Sequence, residues 1–186
     1  MRRRESPKWT FIFIGICVVA FLLQQVTDLW VYLAFVPGLA LQFPWMFVTS
    51  IFLHASPSHL FFNMLALFFF GIYLEPMIGR TRFAVLFMAS GIVGNIGYML
   101  TAPDPLTPAI GASGAIYGVI GALTVLAPLT IVFVSMIPLP MIIVGLGYAF
   151  LAYIGLFGGA SGIAEGAHLG GMALGAAYGL YLRLRR

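Results

Sequence analysis

The sequence predicts an all-α membrane protein, a bundle of six transmembrane helices that forms one domain over residues 1–186. The first observation is composition, because 62% of the residues are hydrophobic, 8% are charged and the mean hydropathy is +1.07. Soluble domains carry about 25% charged residues. The second observation is a series of apolar segments close to the length of about 20 residues that a helix needs to cross a bilayer. The third is the placement of the basic residues.

Six segments are predicted to span the membrane. They are residues 11–26, 57–75, 82–100, 113–127, 131–154 and 163–182. The arginines at positions 2–4, ahead of the first apolar run, are also compatible with a signal peptide. No small-x-small cleavage site follows them and five more apolar segments do, so the first run is interpreted as a transmembrane helix.

The basic residues set the expected orientation. All nine fall before span 1, between spans 2 and 3, or after span 6: Arg2, Arg3, Arg4, Lys8, Arg80, Arg82, Arg183, Arg185 and Arg186. With six spans these segments share one side, which the positive-inside rule assigns to the cytoplasm. The opposite loops carry only acidic charges, at Asp28, Asp104 and Glu165. We therefore expect a cell-membrane protein with cytoplasmic termini, and no basic patch remains to bind nucleic acid.

Two further features bound the fold. The loop of residues 28–56 is aromatic and nearly uncharged, so it is expected to lie in or on the outer leaflet, where Trp and Tyr side chains are favoured. The single cysteine, Cys17, excludes an internal disulfide and a multi-cysteine metal site.

Span 4 is predicted to be a short, central helix. It begins near Ser113 and is stopped by Pro128, and its 15 residues would reach only ~22 Å against a hydrocarbon core of ~30 Å. Ser113 would then lie inside the membrane, and the Gly111–Gly114 segment would line a water-filled pocket that opens outward. The free N–H groups of a helix N-terminus suit an oxyanion there. The alternative is that Ser113 only caps the helix.

The three histidines all lie toward the external ends of their segments. His59 and Asn63 are spaced i, i+4 on one face of span 2, so their side chains could donate hydrogen bonds to a developing oxyanion. The alternative is a pair of interhelical hydrogen bonds. His54 is expected to tie the first loop to the bundle.

His168 lies in the first two turns of span 6, and small residues on spans 4 and 6 predict that these helices pack closely. The small residues are Gly114, Gly118, Gly121 and Ala122 on span 4, and Gly171, Gly175 and Gly179 on span 6. Close packing would bring His168 within reach of Ser113, as a nucleophile and its base require. Tyr117, one turn below Ser113, could pack on the imidazole. Glu165 is placed in the external loop, so a Ser–His dyad is favoured over a triad.

A metal site built from the three histidines is the competing constellation, because three His side chains do hold catalytic zinc. The sequence has no H-x-x-x-H or H-E-x-x-H spacing, so no metal or other cofactor is expected.

These residues lie in three motifs, HASPSHLFFN, GASGAIYG and AHLGGMALG, and with them the chain resembles the rhomboid family of intramembrane serine proteases. The resemblance runs from about Trp45 to Gly175, and the six-span form is similar to prokaryotic members without a seventh helix. It departs from the family where Met46 follows Trp45 in place of Arg, and where residues 75–77 read Glu-Pro-Met in place of E-x-R.

The resemblance implies a serine endopeptidase in which Ser113 attacks the scissile carbonyl and His168 takes its proton. The Ser113 N–H, His59 and Asn63 would stabilise the oxyanion, and Tyr117 would brace His168. Gly111 and Gly114 would shape the loop at Ser113. Three further residues of these motifs are expected to support the site: His54, Gly171 and Gly175. Substrates would be transmembrane segments of membrane proteins, and span 5 with the loop of residues 155–166 would form a lateral gate and cap.

Two other functions are compatible with the same pattern. A non-catalytic relative that binds membrane proteins would typically lack the serine or the histidine, and both are present. A transporter or proton channel could use His54, His59 and His168 as a relay, but such proteins usually show repeated halves, and none is visible in the sequence.

Overall fold

The computed structural model describes residues 6–28, 30–134, 137–158 and 164–185. Most of these residues are helical. The helices are α1 Trp9–Gln24, α2 Trp30–Leu33, α3 Met46–Thr49, α4 Pro57–Ile78, α5 Arg80–Thr101, α6 Ser113–Leu126, α7 Met141–Gly158 and α8 Glu165–Leu184. A 3₁₀ turn, Ser50–Phe52, links α3 to the segment before α4.

Three helices among the described residues are long and apolar enough to cross a membrane. These helices, α4, α5 and α7, have 18 to 22 residues each. Helices α1 and α6 are apolar but shorter, with 16 and 14 residues. A large share of the surface of the long helices is exposed and apolar, as expected for faces that contact lipid.

The prediction for span 5 is wrong over residues 131–134 and 137–140, and residues 135–136 lie outside the described residues. Ile131–Val134 and Ile137–Pro140 are strands β1 and β2 of an antiparallel pair, with Ile131 opposite Pro140. Pro138 and Pro140 lack the N–H that a helix needs, and the β-branched run of β1 favours an extended chain. Helix α7 therefore begins at Met141, ten residues later than expected.

Helix α6 is largely buried, since ten of its 14 residues lie away from solvent. It packs most closely against α8, where glycines leave no room for a side chain on either helix. A Cβ added at Gly171 or Gly175 would collide with the backbone carbonyl of Gly114 or Gly118. A Cβ at Gly179 would lie 2.9 Å from the carbonyl oxygen of Ala122. The backbones of α6 and α8 thus touch directly, as small-residue faces permit.

A buried carboxylate near the C-terminal end of α4 binds the N-terminal end of α1. The Oε1 atom of Glu75 accepts hydrogen bonds from the backbone N–H groups of Lys8 and Trp9, at 2.7 and 2.9 Å. Its Oε2 atom accepts from the N–H and hydroxyl of Thr10, at 2.9 and 2.8 Å. Arg80 donates to the Ser6 carbonyl at 3.1 Å. These contacts hold the N-terminal end of α1 on α4, although residues 75–77 read Glu-Pro-Met and not the E-x-R of the family that the sequence resembles.

The first loop folds against the bundle rather than projecting away from it. Phe35 and Ala109 form an antiparallel bridge, which joins this loop to the segment that precedes α6. Phe35 and Met46 are buried together with Tyr98 of α5. Trp45 donates its indole N–H to the Tyr32 carbonyl at 3.0 Å. The loop buries one face and exposes an apolar face, of which Leu41 and Tyr32 are the most exposed side chains.

Candidate active site

Ser113 is the first residue of α6, so the free end of this buried helix lies at the candidate nucleophile. Backbone N–H groups in the first turn of a helix have no intrahelical acceptor. Gly111, two residues earlier, has a φ of +132°, a backbone conformation that favours glycine. Its N–H donates to the Ser50 carbonyl at 3.0 Å, which fixes the turn that leads into Ser113.

His168 lies beside Ser113, as the close packing of α6 and α8 requires. The distance from its Nε2 atom to the Ser113 Oγ atom is 2.9 Å, a hydrogen bond. The His168 side chain is buried, with 8% of the residue exposed. A serine hydroxyl and an imidazole at this distance can act as a nucleophile and its general base.

The imidazole of His168 stacks on a tyrosine ring. The centroids of the Tyr117 and His168 rings are 4.2 Å apart and their planes differ by 2°. Tyr117 in turn packs edge-on against Tyr148 of α7, at 5.4 Å. The stacking holds the plane of the imidazole, and with it the direction of both ring nitrogens.

The position of Glu165 differs from the one predicted from the sequence. It is the first residue of α8, not a residue of an external loop, and 9% of it is exposed. Its Oε2 atom is 2.8 Å from the Nδ1 atom of His168. The E-x-x-H spacing is the signal that could have found it, since residues i and i+3 of a helix share a face.

His59 and Asn63 lie on the wall of the same cavity. The Nδ1 atom of His59 accepts a hydrogen bond from the Ala55 N–H at 3.3 Å, which leaves Nε2 to carry the proton. This Nε2 edge lies against Gly111, where an added Cβ would be 3.0 Å from the Nε2 atom. The Asn63 amide donates to the His59 carbonyl at 2.9 Å and keeps a second N–H. Ser56 caps the N-terminus of α4, since its Oγ atom accepts a hydrogen bond from the His59 N–H at 3.1 Å.

His54 is buried behind His59 and outside the helices. One per cent of it is exposed, and its ring packs edge-on against the His59 ring at 5.1 Å. The Gln24 side chain holds its backbone through two hydrogen bonds, at 3.0 and 3.2 Å. Within the described part of the chain neither ring nitrogen has a hydrogen-bond partner. Burial first, and the neighbouring His59 second, lowers the pKa of His54 to about 4.

These side chains surround a cavity of about 440 Å³. Its lining combines polar groups of four helices with the segment that precedes α6: Ala55, His59, Asn63, Tyr98, Pro108, Ala109, Ile110, Ser113, Tyr117, Ala164 and His168. Its size is in the range of small-ligand sites. Across the four described ranges, no group of three His, Cys, Asp or Glu side chains is arranged to hold a metal ion.

The loop predicted to form a cap is described only in part. Residues 155–158 belong to α7, which therefore ends four residues later than predicted, and residues 165–166 belong to α8, which begins two residues later than predicted. Residues 159–163 lie outside the described residues.

The chain also matches a known protein family and several of its members. A model of the Rhomboid domain matches residues 42–185. The chain is 32% identical over 179 residues to the rhomboid protease GluP of Bacillus subtilis, a match that covers 90% of this chain and 33% of GluP. It is 33% identical over 195 residues to the mitochondrial Rhomboid protein 1 of Saccharomyces cerevisiae, covering 96% of this chain and 55% of that protein.

A relative named as inactive also matches. The chain is 39% identical over 79 residues to Inactive RHOMBOID-like protein 8 of Arabidopsis thaliana, covering 42% of this chain and 22% of that protein. The chain thus spans between about a fifth and about half of the length of these three relatives.

Proposed function

Because this chain belongs to the rhomboid family, whose domain matches residues 42–185, we propose that it is an intramembrane serine endopeptidase. It cleaves transmembrane segments of membrane proteins through Ser113 and His168. The observation that carries the proposal is the 2.9 Å contact between the Ser113 hydroxyl and the His168 imidazole, at the edge of a cavity and at a helix N-terminus.

The reaction follows from the groups around the cavity. His168 Nε2 takes the proton as Ser113 Oγ attacks the scissile carbonyl, and His168 then gives this proton to the leaving amine. The oxyanion accepts hydrogen bonds from the Ser113 N–H, from His59 Nε2 and from the free N–H of Asn63. Water then hydrolyses the acyl-enzyme with His168 acting again as base. No cofactor takes part.

The six-span topology belongs to this proposal. Helices α1, α4, α5, α6, α7 and α8 each cross or enter the bilayer, with the termini in the cytoplasm and the cavity open to the outside of a cell membrane. Two contacts support the orientation. Arg80 contacts Ser6, and Arg82 lines one cleft together with Arg185. The three basic segments therefore meet at one end of the molecule, and the 22-residue helix α4 separates that end from His54.

The proposed substrate class rests on the depth at which the sequence predicts the site to lie in the bilayer, and on the family. A helix inside the bilayer has all its backbone groups bonded, so a segment rich in small or helix-breaking residues unfolds into the cavity most easily. Such a segment would enter beside α7, whose exposed apolar residues face outward. Helix α7 is thus the proposed lateral gate.

Labelling with a fluorophosphonate probe tests the proposal. The detergent-purified protein is expected to be labelled, and Ser113→Ala and His168→Ala are expected to lose labelling and cleavage of a membrane-protein substrate. Ser58→Ala is the matched control, because Ser58 is an exposed serine of α4. Parent-level cleavage by either site variant would refute the assignment of the two residues.

The alternative is a non-catalytic rhomboid-like binder of membrane proteins. The match to a relative named as inactive is what favours it. A folded protein in liposomes that binds transmembrane segments, but neither reacts with the probe nor cleaves them, would establish this alternative.

A further inference from the structure

The carboxylate of Glu165 completes a chain of three polar side chains. His168 Nδ1 is 2.8 Å from Glu165 Oε2, and His168 Nε2 is 2.9 Å from Ser113 Oγ. The imidazole therefore lies between a carboxylate and the candidate nucleophile. Glu165 and His168 are both buried, so water competes little for either hydrogen bond.

We propose that Glu165 is the positioning residue of this site, and that it acts through His168 as the third member of a Glu–His–Ser triad. The inference rests on the proposed function and adds a residue to it. Glu165 Oε2 accepts the Nδ1–H of His168, which fixes the tautomer whose Nε2 lone pair faces the Ser113 hydroxyl.

The proton balance needs no further reactant. As the Ser113 Oγ–carbon bond forms, the hydroxyl proton moves to His168 Nε2 and the imidazole becomes positively charged. The ionised Glu165 stabilises this charge and stays ionised itself. When the C–N bond breaks, the proton passes from Nε2 to the leaving amine, and His168 returns to the same tautomer.

A glycine on the facing helix makes room for the carboxylate. A Cβ added at Gly155 of α7 would lie 2.6 Å from Glu165 Oε1 and 2.8 Å from its Cδ. The carboxylate thus lies directly against the backbone of α7. This contact is specific to the position, since a Cβ at Gly147 of the same helix would meet nothing within 4 Å.

Among the groups that face His168, we expect Glu165 to be the one that favours a positive charge on the imidazole. Ser113 and Tyr117 of α6 contact the imidazole, His59 of α4 interacts with it electrostatically, and Tyr98 of α5 lines the same cavity. His59 opposes a positive charge on His168 when it is itself protonated. Glu165 is the group that favours this charge.

A purely structural role is the competing explanation. An acidic residue in the first turn of a helix stabilises that helix through the macrodipole, whether or not the site reacts. Loss of Glu165 would then lower stability and activity together. The two roles separate in the pH dependence of the reaction, because the macrodipole contact does not involve the protonation of His168.

The test compares Glu165→Gln with the parent in liposomes, measuring kcat, KM and the pH dependence of kcat/KM on a transmembrane substrate. Gln keeps an acceptor and the shape but removes the charge. We expect kcat to fall at least about 10²-fold with KM nearly unchanged. We also expect the acid limb of the profile to move to lower pH, because the imidazolium loses its anion. Glu165→Asp should restore part of kcat.

A second pair of variants tests the geometry without altering any charge. Gly155→Ala pushes on the carboxylate and should lower kcat, whereas Gly15→Ala on α1, where an added Cβ also meets nothing within 4 Å, should leave it unchanged. A Glu165→Gln protein with the parent's kcat and acid limb would overturn the inference. The inference would also be overturned if Glu165→Gln lost kcat and thermal stability together while the acid limb of its kcat/KM profile stayed at the parent's pH.

Ser113→Ala, assayed in parallel, separates this inference from the proposed function. If Ser113→Ala still cleaves at the parent rate, the protease assignment itself has failed. If Ser113→Ala is inactive and Glu165→Gln behaves as the parent, only the role of Glu165 has failed.

Discussion

Thr10 of α1 and Glu75 of α4 are joined by two hydrogen bonds. Glu75 Oε2 accepts both the backbone N–H and the hydroxyl of Thr10, and both residues are fully buried. The carboxylate takes the place of the acceptors that the first turn of α1 lacks. One side chain of α4 therefore caps α1 and holds it in the bundle.

Removing this carboxylate is expected to release α1. Glu75→Gln turns an amide NH₂ toward backbone N–H donors, and each buried donor left unpaired costs about 1–3 kcal/mol. Thermal unfolding in detergent should show a clear loss of stability. Asp28→Asn, at an exposed acidic residue, is the control and should unfold like the parent. Equal stability of both variants would show that the cap contributes nothing.

Gly111 is expected to tolerate no side chain, for two separable reasons. Its φ is +132°, and an added Cβ would lie 2.8 Å from the His59 Cε1 atom. Gly79 has a φ of +89° but open space around it, so Gly79→Ala carries the backbone strain alone. Both variants should lose about 1–2 kcal/mol of stability. Only Gly111→Ala should also lower kcat, by about 10²-fold, because it displaces His59.

Comparable cleavage rates for Gly111→Ala and Gly79→Ala would contradict this reading of the contact. It would mean that the His59 ring can move without affecting the reaction, and the proposed oxyanion role of His59 would then be lost.

Local signals were enough to predict where several helices begin. Ser56 and Pro57 predict the start of α4, because a serine cap and a proline at the first helical position fit no other part of a helix as well. Ser113 follows Gly111 and precedes an apolar run, and α6 begins there. Small residues on two spans predict the contact of α6 with α8, because helices whose facing sides carry no bulky side chains can pack closely.

Two predictions, for span 5 and for Glu165, are wrong. In each case the local sequence is compatible with two structures. The run that starts at Ile131 is as apolar as a transmembrane helix, and the prolines at 138 and 140 are what indicate the pair of strands. Glu165 follows a glycine-rich stretch, so its charge suggests a loop. Its burial depends on a space beside Gly155 that belongs to another helix, and no local pattern reveals it.

The backbone contact between α6 and α8 is expected to be the most sensitive part of the core. Gly175→Ala places a methyl group on the Gly118 carbonyl and must separate the two helices. We expect a loss of about 1–3 kcal/mol, together with slower labelling of Ser113 by a fluorophosphonate, since His168 moves with α8. Gly15→Ala, where a Cβ meets nothing within 4 Å, should change neither property. Unchanged labelling in Gly175→Ala would show that the helices separate without moving His168.

His54 is expected to make the fold sensitive to acid. Its folded pKa is about 4 against an ordinary value of 6.5, so the unfolded chain binds a proton more readily. The stability contributed by neutral His54 is thus complete above about pH 6.5 and is lost as the pH falls toward 4. His54→Phe keeps the ring contact with His59 and removes two ring nitrogens that have no partner in the described part of the chain.

The variant should therefore be at least as stable as the parent near neutral pH, and its melting temperature should fall less on acidification. Melting temperatures in detergent at about pH 7.5 and pH 4.5 provide the comparison, because the other histidines are common to both proteins and cancel in the difference. An equal fall in both proteins would assign the acid sensitivity to groups other than His54. A large loss in the variant at neutral pH would reveal a hydrogen-bonded water on the His54 ring.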